Sequence, residues 1–205
     1  MSEDPTPSGL TYKLAGVDRD AAALFKEMIR ERVAKTWPDM AKEIGGFAGG
    51  GKIPAGSIRV VGSTDGTGTK SILSALVGDY RIGQDVVAMA AVDTYVSGNT
   101  PTYLLDTLEV AHLIPEVHIQ VIDSIIDACV LSGCSVIGGE TAELPDMFRH
   151  PWMMNLNASV IGFRSLDPAH SNVPIVAGQP VYGWLSEGLT RGCTFGILGA
   201  YAETS

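Results

Sequence analysis

Asp65-Gly66-Thr67-Gly68-Thr69-Lys70 brings a carboxylate, a pair of glycines, two hydroxyls and an ammonium into one short stretch. Asp65 offers the hard oxygen ligands that Mg²⁺ takes, and Lys70 offers a positive charge for phosphate. Gly66 and Gly68 allow a tight turn with exposed backbone N–H groups, and Thr69 leads into the lysine. The Gly-x-x-x-x-Gly-Lys-Ser/Thr spacing of a P-loop is absent. The same residues also suit a plain glycine-rich turn, because Asp-Gly pairs are common in turns.

Two more carboxylates stand out. Asp93 ends a segment otherwise made of apolar and small residues, where a buried, unpaired carboxylate is costly. A metal removes that cost, and so does a helix end that lets Asp93 reach solvent, Thr94 or the loop at Gly98. Glu140 follows Gly138-Gly139 and precedes Thr141-Ala142-Glu143, at a strand end where α/β sheets place ligand contacts. A tight turn with two solvated glutamates is the other reading. Asp106 and Glu109 are weaker candidates, equally able to face water. Asp65, Asp93 and Glu140 together suit a metal–nucleotide site, in which Mg²⁺ takes only one or two protein carboxylates. His112 and His118 flank a strand–helix loop and are expected at the surface, and His150 and His170 fall in loops. Cys129, Cys134 and Cys193 fit no zinc spacing and are expected in the core or on helices.

The elements that must position these groups follow from periodicity. Asp18 is an N-cap candidate, and Leu24, Phe25, Met28, Ile29 and Val33 recur at helical spacing, which predicts a helix over 19–36. Residues 45–51 read as a glycine loop. A strand over 57–61 runs into the Asp65 turn. Residues 84–96 read as a buried helix, ended by Gly98 and Pro101, and 102–111 as a strand. Pro115 and Glu116 open a helix whose apolar stripe is Val117, Val121, Ile122, Ile125, Ile126 and Cys129, with Gly133 as its stop. Strands follow over 135–137, 154–163 and 180–186. This order predicts an α/β (α+β type) domain: a mixed sheet with the helices 84–97 and 115–132 on one face. The expected organisation is an arm over 1–17, the main domain over 18–165, and a linker with the start of a second domain over 166–205.

Bulk properties narrow the function. Apolar residues make up 45% and charged residues 18% of the 205 residues, a globular composition. A formal net charge of -9 argues against nucleic acid or an anionic membrane as partner. Met1 to Gly9 is polar with two prolines, which does not read as a signal peptide, and no apolar run approaches the roughly 20 residues that span a bilayer. Three cysteines form no disulfide framework, so the expected location is the cytoplasm.

Several segments resemble, in order, phosphoribosylformylglycinamidine cyclo-ligase (aminoimidazole ribonucleotide synthetase). They are residues 10–18, Gly45-Gly46-Phe47-Ala48-Gly49, residues 64–70, Ile82-Gly83-Gln84-Asp85-Val86-Val87-Ala88-Met89 and, most specifically, residues 132–145. The resemblance implies an ATP-dependent ligase of purine biosynthesis that cyclises formylglycinamidine ribonucleotide, with ATP and Mg²⁺ as cofactors. It implies a homodimer formed through the N-terminal sheet, with the nucleotide site at the edge of that sheet. Asp65, Lys70, Asp93 and Glu140 stand at family positions near metal and phosphates, the three carboxylates as metal ligands. Arg30, Gly46, Phe47, Gly49, Gly66, Gly68, Thr69, Gly138, Gly139 and Thr141 are implied nucleotide contacts, Arg30 standing where the family has a lysine. Asp65, Asp93 and Glu140 are expected to converge on one side of the dimer, within reach of a shared Mg²⁺–ATP. The family's Gly-x-His-Ser-Asn-Gly motif is replaced here by Gly188-Leu189-Thr190-Arg191-Gly192-Cys193. Two alternatives share these features: a non-catalytic, dimerising nucleotide-binding remnant, and another ATP-dependent member of the superfamily, of selenophosphate synthetase or thiamine-phosphate kinase type.

Overall fold

The computed structural model of the protein describes residues 17–37, 41–43, 48–165 and 176–181. Helix α1 (Arg19–Val33) starts where Asp18 accepts from the amides of Asp20 and Ala21 at 3.0 and 3.1 Å, satisfying donors that the first turn leaves open. Its last expected turn, Ala34–Thr36, is a 3₁₀ turn. Thr36 and Trp37 then fasten the helix end to the sheet. The Val136 amide donates to Thr36 Oγ1 at 2.9 Å, and Trp37 Nε1 donates to the Val136 carbonyl at 2.8 Å.

A small antiparallel pair, β1 (Ala41–Glu43) and β2 (Gly50–Gly51), precedes β3 (Ser57–Gly66). Then come α2 (Lys70–Val77), α3 (Ile82–Val96), β4 (Thr100–Val110), α4 (Pro115–Ser132), β5 (Ser135–Glu143) and β6 (Met154–Ser165). Helix α2 was not anticipated, for a physical reason: its buried residues are Ser71 and Ser74, while Val77 is exposed, so the usual amphipathic pattern is reversed. The expected strand over 180–186 is not seen at Pro180 and Val181, and residues 182–186 lie outside the described residues.

The main sheet runs β3-β6-β4-β5; β3/β6 and β6/β4 are antiparallel and β4/β5 parallel through α4. Alternation sorts its two faces. Leu104, Leu108 and Val110 of β4 and Leu156, Ala158 and Val160 of β6 pack with Val86, Val87 and Ala90 of α3 and Val121, Ile125 and Cys129 of α4. The mixed sheet with both main helices on one face is therefore as expected. On the other face Tyr103 and Ile137 gather Leu105, Ile161 and Phe163, with the Tyr103 and Phe163 rings edge to face at 6.1 Å.

Three burial expectations change. Helix α3 is buried on one side only, since Val92, Tyr95 and Val96 are exposed. His118 is interior at 4% exposure, because its Nδ1 accepts the Ile114 amide at 3.0 Å and closes the first turn of α4, where no side chain of Ile114 can cap. Glu143 is not solvated: its side chain, 7% exposed, accepts from the amides of Asp18 (2.8 Å) and Leu113 (2.9 Å) and ties the start of α1 to the β4–α4 loop. Cys129 and Cys134 are buried free thiols, as expected of core cysteines, and burial pushes both thiols up.

Candidate functional site

The residues singled out by sequence fall into two groups at opposite edges of the sheet. The first is on β3 and the turn after it. The Asp65 carboxylate accepts from the Gly66 amide at 2.7 Å. Thr67 is fully buried, and both its amide and hydroxyl donate to the Leu156 carbonyl, at 2.9 and 3.1 Å. That anchor lets Gly68 turn back at φ +55° and start α2 after Thr69. Only a residue tolerant of positive φ fits there. Lys70, in the first turn of α2, donates to Asp85 of α3 at 2.8 Å, so the ammonium is held before any phosphate meets it. Asp93 is exposed and accepts from Ser63 at 3.2 Å. Ser63 and Asp65 alternate onto the same face of β3, so Asp93 sits beside this group at the surface, the solvent-reaching alternative of the two open for it.

The second group surrounds a cavity of about 630 Å³ between α1, α4 and β5. Arg30, Gly49, Gly138, Gly139, Glu140 and Thr141 all line it. Arg30 pairs with Glu27 at 3.0 Å, both side chains being exposed. Gly49 presses against β5 so closely that a Cβ would lie 1.4 Å from the Ile137 carbonyl oxygen. Gly46 and Phe47 lie outside the described residues. A bulge decides which way Glu140 faces: Val136 stands opposite Leu104 and Gly138 opposite Leu105, leaving Ile137 extra. One inserted residue exchanges the faces of everything after it. Glu140 thus joins the open face beside Thr107, while Gly139, Thr141 and Glu143 turn to the helices.

Asp65, Asp93 and Glu140 do not converge within one chain. β3 and β5 are opposite edge strands, roughly 14 Å apart at ordinary strand spacing, because β6 and β4 insert between them. Among the described residues, no group of three or more His, Cys, Asp or Glu side chains could hold a metal ion. One cavity residue, Lys26, was missed, and another, Asp106, was named only as a weaker candidate. Lys26 precedes Arg30 by one turn of α1, and Asp106 lies under the cavity on β4. The signal for Asp106 was present: Leu104, Asp106, Leu108 and Val110 alternate along β4, so the carboxyl had to share the apolar face.

Residues 49–164 match the family described as AIR synthase related protein, N-terminal domain. The chain belongs to this family. It is 40% identical over 182 residues to the chloroplastic/mitochondrial phosphoribosylformylglycinamidine cyclo-ligase of Vigna unguiculata, covering 88% of this chain and 44% of that protein. It is 36% identical over 184 residues to the cyclo-ligase of Prochlorococcus marinus (strain MIT 9313), covering 88% and 53%. The chain thus spans about half the length of the curated relatives it matches. Among solved structures, the hydrogenase maturation protein HypE of E. coli superposes with a TM-score of 0.51 at 19% identity, over 71% of this chain and 44% of that one. Thiamine-monophosphate kinase from Stenotrophomonas maltophilia K279a gives 0.51 at 19%, over 68% and 41%. These two likenesses concern the fold alone. No helix among the described residues is long and apolar enough to cross a membrane.

Two buried groups give this AIR synthase-family domain opposed pH responses. Burial pushes the Asp106 carboxyl up from 3.8 to about 7, against a pull from its own backbone and with a smaller push from Glu140. Asp106 is partly buried, and it lines the cavity. Burial holds His118 down from 6.5 to about 4, against the Ile114 backbone and the charge of Glu143. His118 therefore contributes stability that is full above pH 6.5 and lost as pH falls toward 4. Asp106 does the reverse: its contribution is full below pH 3.8 and lost as pH rises through 7. Between these limits the slopes offset. Asp106→Asn is expected to be more stable than the parent at pH 8, by up to a few kcal/mol, and to reveal an uncompensated loss between pH 6.5 and 4. Denaturant midpoints measured across pH check this; parallel curves for parent and variant would contradict it.

Proposed function

We propose that this chain is the nucleotide-handling half of an ATP-dependent cyclo-ligase that closes formylglycinamidine ribonucleotide to aminoimidazole ribonucleotide in purine biosynthesis. The observation that carries the reading is the 40% identity, over 88% of the chain, to a protein of that name. The local chemistry is compatible. Asp65 supplies a hard carboxylate beside a glycine turn, and Asp93 lies on the same side of β3; these two would hold Mg²⁺. Lys70 and the amides that open α2 would meet phosphate, and Glu140, Thr141, Arg30 and Gly49 border the cavity at the other edge. When bound, Mg²⁺–ATP supplies a phosphoryl group that converts the formyl oxygen into a leaving group. This chain's residues bind and orient: Asp85 holds Lys70 in place, and the Thr67 anchor fixes the turn.

The separation of the two groups supports a homodimer. If Asp65 and Glu140 serve one nucleotide, the β3 edge of one copy must approach the β5 edge of another. The open face, where the half-buried Leu105, Ile161 and Phe163 gather around the already buried Tyr103 and no described helix covers them, is the surface such a dimer would bury. The net charge of -9 favours a small-molecule substrate over nucleic acid or membrane, and three cysteines without a disulfide framework favour the cytoplasm as the compartment.

The test combines light scattering at micromolar concentration, calorimetric titration with Mg²⁺–ATP, and a product assay with formylglycinamidine ribonucleotide. A dimer that binds ATP in a Mg²⁺-dependent way is expected, with little or no turnover by the 205-residue chain alone. Positioning supplies roughly 7–11 kcal/mol of such barriers, and these 205 residues span 44% and 53% of the two cyclo-ligases they were matched to. A monomer with no affinity for ATP would sink the reading.

A further inference from the structure

None of the roles above uses the Asp106 carboxyl. One row of the sheet reads Asp65, Ala158, Asp106, Gly139. The small neighbours leave Asp106 uncovered on both sides, and Gly139 is required: a Cβ there would lie 2.3 Å from Asp106 Oδ1. No ion pair with Asp106 is formed among the described residues, although Leu104 and Leu108 flank it along the strand. A carboxylate enclosed without a cation is costly, and a leucine would fill the same position more stably. What distinguishes the position is the cavity above it. Ile122, Ile125 and Ile126 of α4 form an apolar wall, and Lys26 and Arg30 stand one turn apart on α1. A complementary ligand has a flat apolar body, an N–H donor at one end and an anionic group at the other.

We propose that Asp106 is a specificity-determining residue, accepting a hydrogen bond from the amine edge of a nucleotide base whose phosphate end lies toward Lys26 and Arg30 of the same copy and, in the dimer proposed above, meets Asp65 and Lys70 of the second copy. This rests on the nucleotide-handling reading and adds which base chemistry the site selects. The approximate cavity volume, 630 Å³, falls within the 300–1,000 Å³ usual for small-molecule sites. An apolar wall stacks on any base, so an amine is told from its absence by an acceptor, and Asp106 is the carboxylate set on the same face of the sheet as the helices that form that wall, whereas Glu140 turns to the open face.

The experiment titrates the purified chain, with Mg²⁺, against ATP and against purine riboside 5′-triphosphate, which keeps the phosphates and ring but lacks the amine. ATP is expected to bind about tenfold tighter, the worth of one buried hydrogen bond. Asp106→Leu should bring that ratio near one with little change in affinity for the analogue, and the isosteric Asp106→Asn should keep part of the preference. Equal affinity of the parent for both ligands, or an intact ratio in both variants, overturns the assignment while leaving the nucleotide reading in place. Failure of both nucleotides to bind overturns both together.

Discussion

Replacing Gly83 by alanine is expected to cost about 3 kcal/mol or more of stability, a fall of roughly 6–12 °C in Tm for a chain of this size. Gly83 is buried at the start of α3, where that helix crosses α4. An added Cβ would lie 2.3 Å from Ser124 Oγ, 2.5 Å from the Val121 carbonyl oxygen and 2.7 Å from Ile125 Cγ1. The Val121 carbonyl belongs to the α4 backbone and cannot rotate away, so the helices must part. Parting them strips contacts from the cluster that Val86, Val121 and Ile125 share with the sheet, and overpacking of this kind ordinarily costs 1–3 kcal/mol even where side chains can yield. The gain of about 1 kcal/mol from alanine's better helix propensity is too small to offset it. Gly133 makes the contrast. Its φ is +71° but nothing lies within 4 Å of a Cβ there, so Gly133→Ala should lose only about 1–2 kcal/mol, from backbone strain. Denaturant unfolding of both variants at one protein concentration decides the matter. A loss below that of Gly133→Ala would show that α3 and α4 are free to shift.

Asp65→Asn is expected to weaken Mg²⁺-dependent ATP binding on the order of 100-fold, while Mg²⁺-independent binding changes little. Losing even a supporting partner of a metal ligand costs 10–100-fold in affinity, and an amide oxygen lacks the charge that a hard cation selects. The surrounding turn should survive the change. Thr67 is anchored to Leu156 through its own amide and hydroxyl, and the Asn oxygen can still accept from the Gly66 amide as Asp65 does. Titration with ATP, with and without Mg²⁺, separates the two effects. Equal weakening under both conditions would mean that Asp65 serves the turn and not the metal.

The sequence carried the main elements because their signals are local. Helix α4 opens at Pro115, runs on an apolar stripe and stops at Gly133, which takes φ +71°; each step depends only on residues a turn away. The β4 alternation is equally local and sets Asp106 in line with Leu104 and Leu108, although by sequence alone Asp106 was held equally able to face water. Helix α2 was not legible, since it buries serines and exposes Val77. Its inner face is set by the hydroxyl pair of Thr67 and Ser71 and the Leu156 carbonyl, partners that sequence spacing cannot supply.

By itself the sequence determined which groups are available: a carboxylate and a lysine around one glycine turn, a glutamate after a double glycine, and a family-wide order of segments. Tertiary structure alone decided which of them meet. The strand order β3-β6-β4-β5 sends Asp65 and Glu140 to opposite edges, and the extra residue at Ile137 turns Glu140 away from the helices. His118 looked like a surface residue until the β4–α4 loop folded its own amide onto it. Asp106, a weaker candidate by sequence, was set beneath a cavity only when α1 and α4 came together over it. The reason is common to all four. Which face a side chain occupies depends on pairing register and strand order, and these arise from contacts between segments far apart in the chain, whose free energy is not written in any one of them.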